Sequence, residues 1–217
     1  WGNAFHTDHE NKGIFCHSCS RIISQGVTQG GYIYSDGRHL CSLCIATAVN
    51  SDSRIYSAFR SVIAQFEEIG ISDLSINIPI KLVDIHQLNQ EAGKLYHAKL
   101  KGFTQINSGN KKYGFDNKIH ILILSGLPMI EFEAVLAHEL LHVWIHQNQI
   151  NLSPEAEEGF CNLGRHLIYK NDQTQFSTIH LQAMEKNPDP VYGIEYRKMK
   201  AQLEKKGWSN LISYMMN

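Results

Sequence analysis

No stretch of this 217-residue chain approaches the run of about 18 apolar residues needed for a helical membrane span, and no secretory leader opens it. Basic residues are never densely clustered. Lys plus Arg number 20 against 21 Asp plus Glu, for a net charge of −1, so the clustered positive surface that phosphate backbones require is missing. Internal repeats and low-complexity tracts are absent as well. These absences set aside membrane and nucleic-acid partners and leave a cytoplasmic protein as the expectation. The chain begins with Trp1 in place of Met and reads as a trimmed piece of something longer. With 43% hydrophobic residues it can bury a sizeable core.

Cysteine is scarce, yet four of the five residues fall into two knuckles, Cys16-x-x-Cys19 and Cys41-x-x-Cys44. Paired knuckles at this separation suit tetrahedral thiolate ligation of a structural zinc ion better than a disulfide framework. Between them, residues 30 to 38 read as a strand followed by an Asp36-Gly37 turn, hence a hairpin. Upstream, His6 and His9 have the spacing of a further knuckle. Without a partner pair they read as surface histidines, or as half of a second zinc site completed by residues ahead of Trp1. Cys161 reads as a small core residue on a helix.

A second constellation lies in Ala137-His138-Glu139-Leu140-Leu141-His142-Val143-Trp144. His138 and His142, four residues apart, share one helix face and can hold a single metal ion, with Glu139 beside the open position as a general base. An H-E-x-x-H pattern arises by chance in roughly one chain in 25 of this composition, so the surroundings must decide. They do favour a site. The helix expected from Ile130 to Gln147 is apolar nearly all round, and a histidine stripe on a buried helix is costly unless satisfied.

In one broad class of zinc peptidases the third ligand is a glutamate on the following helix. Ser153-Pro154 opens such a helix, expected from Pro154 to Tyr169, and Glu158 is the candidate, with Glu157 as the alternative. Asn162, one turn after Glu158, could orient a ligating histidine through its second ring nitrogen.

Elsewhere, helical spacing predicts one helix from Ile45 to about Ile69, a short one from His86 to Gly93, and further helices at Thr174–Lys186, Ile194–Lys206 and Ser209–Met215, with Gly207 as a stop. Ser75 to Val83 reads as a strand near a sheet edge, and Ile119 to Leu124 as the best strand of the chain. Leu95 to Lys118, polar and with glycines at 102, 109 and 114, reads as strand ends and a loop.

At these residues the chain resembles the LIM-domain zinc peptidases that restrict organ growth in plants, together with their shorter bacterial relatives. The resemblance rests on the two cysteine knuckles, Asp36-Gly37-Arg38, Ala46 to Val49, Ile78 to Val83, Ile123 to Pro128, Leu136 to Trp144, Glu157-Glu158-Gly159 with Cys161, and Pro190-Val191-Tyr192-Gly193 with Arg197. It implies an α+β protein with a LIM-like zinc finger over residues 1–48 and a zincin-like peptidase domain, a small twisted sheet plus helices, over 49–217. It also implies a zinc-dependent endopeptidase acting on protein or peptide substrates, with a second protein partner open to the finger. His138, His142 and Glu158 would hold the catalytic zinc, and Cys16, Cys19, Cys41 and Cys44 the structural one. Glu139 would take the proton from a zinc-activated water. Tyr192 is the first choice of oxyanion donor, ahead of His180 and Tyr196. The strand Ile119 to Leu124 would offer an open edge to an extended substrate. The ubiquitin-interacting segments of the plant members have no counterpart here, so ubiquitin regulation is not carried over. The rival reading is a catalytically silent zinc-finger adaptor.

Overall fold

The computed structural model describes residues 1, 5–74, 77–93, 100–106 and 119–216. Its first unit is the cysteine module. A short helix, α1 (Asp8–Lys12), leads into the first knuckle, and a single turn, α2 (Gln25–Thr28), follows it. The expected hairpin is present: β1 (Gly31–Ile33) pairs antiparallel with β2 (His39–Cys41), Tyr32 opposite Leu40. Gly37 in the connecting turn has φ +84°, a conformation that strains any residue with a Cβ. Another single turn, α3 (Ser42–Ile45), carries the second knuckle.

The helix expected from Ile45 to Ile69 is broken near its start. It begins only at Asp52, as α4 (Asp52–Glu68), because residues 47–49 turn aside to bond the body. Val49 N–H donates to Leu127 O at 2.9 Å, Met129 N–H to Thr47 O at 3.0 Å, and Ala48 forms a bridge with Pro128. Periodicity continued through this segment, but backbone pairing with a distant loop prevailed over it.

After α4 come β3 (Ile80–Val83), α5 (Ile85–Ala92), β4 (Gly102–Ile106) and β5 (Ile119–Leu124). The α5 start is fixed by a capping box, with Asp84 accepting from Gln87 N–H at 2.8 Å. The expected strand from Ser75 shortens to Ile80–Val83; residues 75 and 76 lie outside the described residues. The strands form a three-stranded sheet in the order β3-β5-β4, parallel between β3 and β5 and antiparallel between β5 and β4.

This corrects the expectation of an open edge on Ile119–Leu124. That strand is central, and residues 121–124 are fully buried. Its unbroken apolar run is the mark of a strand covered on both faces and paired on both sides. Among the described residues the edge strands are β3, as expected for the segment ending at Val83, and β4, which lies inside a stretch read as strand ends and loop. The Gly109 and Gly114 of that stretch lie outside the described residues.

β5 feeds directly into α6 (Met129–Gln147), the central helix, and α7 (Pro154–Asp172) packs back along it after a short connection. On α6 the residues from Ala134 to Leu141 are all buried, as its apolar composition demands. The two helices approach closely at Gly164, where an added Cβ would meet Ala137 O at 2.8 Å. α7 starts as expected, with Ser153 Oγ accepting from Ala156 N–H at 3.3 Å and Pro154 in the first turn. Then follow α8 (Gln175–Lys186), a π-helical turn (Pro190–Glu195), α9 (Tyr196–Lys206) and α10 (Trp208–Met215), with Gly207 at φ +73° separating the last two. The helix expected from Ile194 therefore starts two residues later, because residues 190–195 form a wider turn capped by Asp189, which accepts from Val191 and Tyr192 N–H. The whole is α+β, small sheets on a mostly helical body. No helix among the described residues is long and apolar enough to cross a membrane.

Candidate metal centre

The four knuckle cysteines converge. Their sulfurs lie within 4.8 Å of one another, all four residues are buried, and Cys19 Sγ stands 3.7 Å from Cys41 Sγ. In a tetrahedral thiolate site with bonds of about 2.3 Å, sulfur atoms are separated by about 3.8 Å, so the spacing fits zinc. Hydrogen bonds from the neighbouring cysteines hold the Cys16 thiol far below its ordinary pKa while Cys44 is pushed far above. A buried thiolate in such a cluster carries a charge that a cation would satisfy. His6 and His9 are exposed, with ring centres 6.0 Å apart, and no metal-binding group among the described residues includes them.

The second centre is built by α6 and α7. On α6, His138 and His142 turn their Nε2 atoms toward each other at 3.2 Å. On α7, Glu158 places Oε2 at 3.3 Å from His138 Nε2 and Oε1 at 3.6 Å from His142 Nε2. Around a tetrahedral ion with bonds of 2.0–2.1 Å, donor atoms stand about 3.3–3.4 Å apart, which the triangle matches. Glu158 Oε2 is buried and accepts no hydrogen bond among the described residues. Three donor atoms facing one another at these distances need a proton or a cation between them, and their spacing fits a metal.

Sequence spacing left Glu157 and Glu158 unresolved; geometry separates them. Glu157 Oε1 accepts from His142 Nδ1 at 2.7 Å, which fixes the tautomer and leaves the Nε2 lone pair aimed at the centre. The carboxylate expected to ligate and the one that orients the ligand are adjacent residues on α7, about 100° apart around the helix. Asn162 therefore does not do the orienting job expected of it: Glu157 occupies His142 Nδ1, and His138 Nδ1 is buried with no hydrogen-bond partner among the described residues.

Burial pushes the His138 pKa down, only partly offset by Glu158, and so favours its neutral, ligating form. For His142 burial acts in the same direction but is outweighed by Cys161 and Glu157, which raise it well above the ordinary value. Burial would raise Glu158, yet the imidazole of His138 beside it brings it down to about 2. The surroundings of the centre therefore favour positive charge there. Cys161 is fully buried, and burial pushes its thiol up to about 11, which fits a core residue.

Glu139 is positioned by β4, an arrangement that periodicity did not reveal. Thr104 Oγ1 donates to Glu139 Oε2 at 2.8 Å and lies 3.1 Å from Glu139 O. Gly102 lets the strand come this close, since a Cβ there would meet Glu139 Oε1 and Val135 Cγ1 at 2.6 Å. The centre opens into a cleft of about 780 Å3 bordered by β4, α7 and residues 184–192. Tyr192 lines this cleft with Asn162 and Arg165, and burial pushes its phenol up to about 12. The other two donor candidates do not. Tyr196 is fully buried, hydrogen-bonded with His166 Nδ1 at 2.9 Å and Glu185 at 3.2 Å. His180 stacks on Phe176 and Tyr169, with ring centres 4.3 and 5.0 Å away. His146 is exposed at the end of α6, outside the donor set.

Fold and site together define an α+β protein with two separate donor sets for metal, one of four cysteines and one of two histidines and a glutamate. Residues 96–184, which include the second set, match the family model DA1-like, described as Protein DA1. The chain is 28% identical to Protein DA1-related 2 of Arabidopsis thaliana (75% of this chain, 36% of the relative). It is 32% identical to Protein DA1-related 7 of the same plant (77% and 35%) and 24% identical to the LIM domain-containing protein HDR3 of Oryza sativa subsp. japonica (79% and 40%). It thus spans between a third and two-fifths of the length of these relatives. No solved structure matches significantly.

Proposed function

We propose that this chain is a DA1-like zinc peptidase, with a catalytic ion held by His138, His142 and Glu158 and a structural ion held by Cys16, Cys19, Cys41 and Cys44. The observation that carries the reading is the triangle of donor atoms at 3.2, 3.3 and 3.6 Å with Glu139 next to it. A site that only stabilised the fold would have no use for a carboxylate beside its ligands, held by an edge strand at the wall of a cleft.

Zinc, when bound, supplies Lewis acidity that makes water nucleophilic near neutral pH. Glu139 takes the proton at its carboxylate while Thr104 holds Oε2, and returns it to the departing amine. Tyr192 is the donor proposed for the developing oxyanion, because it lines the same cleft and keeps its phenolic proton at neutral pH. Among the described residues β4, not β5, is the edge strand beside the cleft, and an extended peptide adds to it as another strand. The zincin-like character of residues 49–217, a protein partner for the finger and a cytoplasmic location belong to the same proposal.

Metal analysis and digestion of broad peptide libraries, run on the wild type and on Glu139→Gln, test it. Two zinc ions per chain are expected in both proteins, with cleavage lowered in the variant by roughly 100-fold or more. Equal cleavage by the two proteins would remove Glu139 from the mechanism. Cleavage by neither would favour the zinc-finger adaptor.

A further inference from the structure

Glu158, Asn162 and Arg165 follow one another at helical spacing on α7 and face the same cleft. Asn162 is only 3% exposed, yet its amide nitrogen has no hydrogen-bond partner among the described residues. Arg165 Nε is likewise buried without a partner, and among the described residues the guanidinium makes no ion pair. Of the side chains lining the cleft, Arg165 is the one Lys or Arg among the described residues.

Among the described residues the acidic groups of the cleft have other partners, although Glu158 feels the Arg165 charge through space. Glu158 belongs to the metal triangle, Glu157 bonds His142, Glu139 bonds Thr104, and Asp189 accepts from Val191 and Tyr192 N–H. Glu155 is exposed in the first turn of α7, about 15 Å along the helix axis from Arg165 at 1.5 Å per residue. A half-buried guanidinium is costly without a counter-charge, and its planar fork matches a carboxylate. The Asn162 amide supplies a further donor on the same face.

We propose that Asn162 and Arg165 form a carboxylate-binding subsite of the cleft, so that the peptide it accepts carries a carboxylate at a fixed position relative to the bond cut. This rests on the peptidase reading above. Two sources share the chemistry: an internal Asp or Glu side chain, and a free C-terminus. The first would make the enzyme an endopeptidase with acidic preference, and the second would direct it to chain ends.

The test separates binding from cleavage. Zinc-loaded full chain carrying Glu139→Gln selects from two random peptide pools, one with free and one with amidated C-termini, and the retained peptides are sequenced by mass spectrometry. The same pools are then digested by the wild type. Enrichment of acidic residues in the amidated pool, or of free over amidated ends, is expected at about tenfold or more. Adding Arg165→Gln should abolish the enrichment, while Arg165→Lys keeps part of it. Zinc content of each variant is measured alongside, and the enrichment in the parent protein stands as a test even if a variant fails to fold. Selection of carboxylates without any cleavage would support the subsite and overturn the peptidase reading. Cleavage and selection without preference for carboxylates would overturn the subsite alone. A uniform loss for all peptides in Arg165→Gln would also overturn it, since an Arg165 that merely balances Glu158 would give that result.

Discussion

Adjacent carboxylates with different duties define the centre at the scale of single residues. Glu158 reaches both Nε2 atoms, whereas Glu157 is turned about 100° around α7 and reaches the back of His142. In the proposed metal centre Glu157 therefore acts through the imidazole, by fixing its tautomer and raising its basicity. Replacing Glu157 with Gln should leave the donor set complete but weaken zinc binding at this centre by about 10- to 100-fold, while the cysteine site is unchanged. Titration against a chromophoric chelator would show this as one weakened site out of two. A complete loss of the ion in Glu157→Gln would instead mark Glu157 as a ligand. The pattern of two histidines and a glutamate was readable in the sequence because helical spacing alone places His138 and His142 on one face. Which glutamate joins them was not, because that depends on how α6 and α7 are rotated against each other, and Gly164 sets their close approach.

Secondary structure was most legible where local chemistry and burial agree. α6 shows an apolar surface with a polar stripe, α7 carries its cap in the sequence, and the Asp36-Gly37 turn makes the hairpin. β4 was hidden for a physical reason. Gly102 and Thr104 answer to Glu139 and not to a strand pattern: one is small so that the strand can come close, and the other is a hydroxyl that holds the carboxylate. Period-two alternation is weak in such a strand, so its sequence looks like loop. The same blindness misplaced the substrate edge onto β5, whose uniform burial shows only that both of its sides are occupied. The break before α4 was hidden likewise, since the partners of residues 47–49 lie about 80 residues away in sequence.

Across the whole molecule, the cysteine module is tied to the strand and helix that form the cleft. Ser18, between the first two cysteines, hydrogen-bonds the buried Glu131 in the first turn of α6, and Glu131 in turn pairs with Lys101, the residue before β4. A second tie runs through Arg38, which is held by Asp36 at 2.8 Å and donates to Ser125 O at 2.8 Å. The Asp36-Gly37-Arg38 motif is thus a clasp between module and body as well as a turn. Burial would raise the Glu131 pKa, but Lys101 outweighs it and holds the carboxyl below its ordinary value. A group with a depressed folded pKa contributes stability above its unfolded pKa and loses it as pH falls through the folded value. Glu131→Gln strands a mostly buried Lys101 and should cost about 3 kcal/mol at pH 7. The gap between variant and wild type should narrow once pH drops below the ordinary carboxylate range, near 4.5. Urea midpoints measured over a pH series would track it. A gap independent of pH would show that the lost interaction is packing and not charge.

Central to this account is a metal ion held jointly by α6 and α7. Anomalous diffraction at the zinc edge from crystals of the zinc-loaded chain tests this most directly. The expected result is two peaks, one within the cysteine quartet and one about 2.0–2.1 Å from the Nε2 atoms of His138 and His142 and from the Glu158 carboxylate. A peak in the cysteine quartet alone, from protein saturated with zinc, would contradict it.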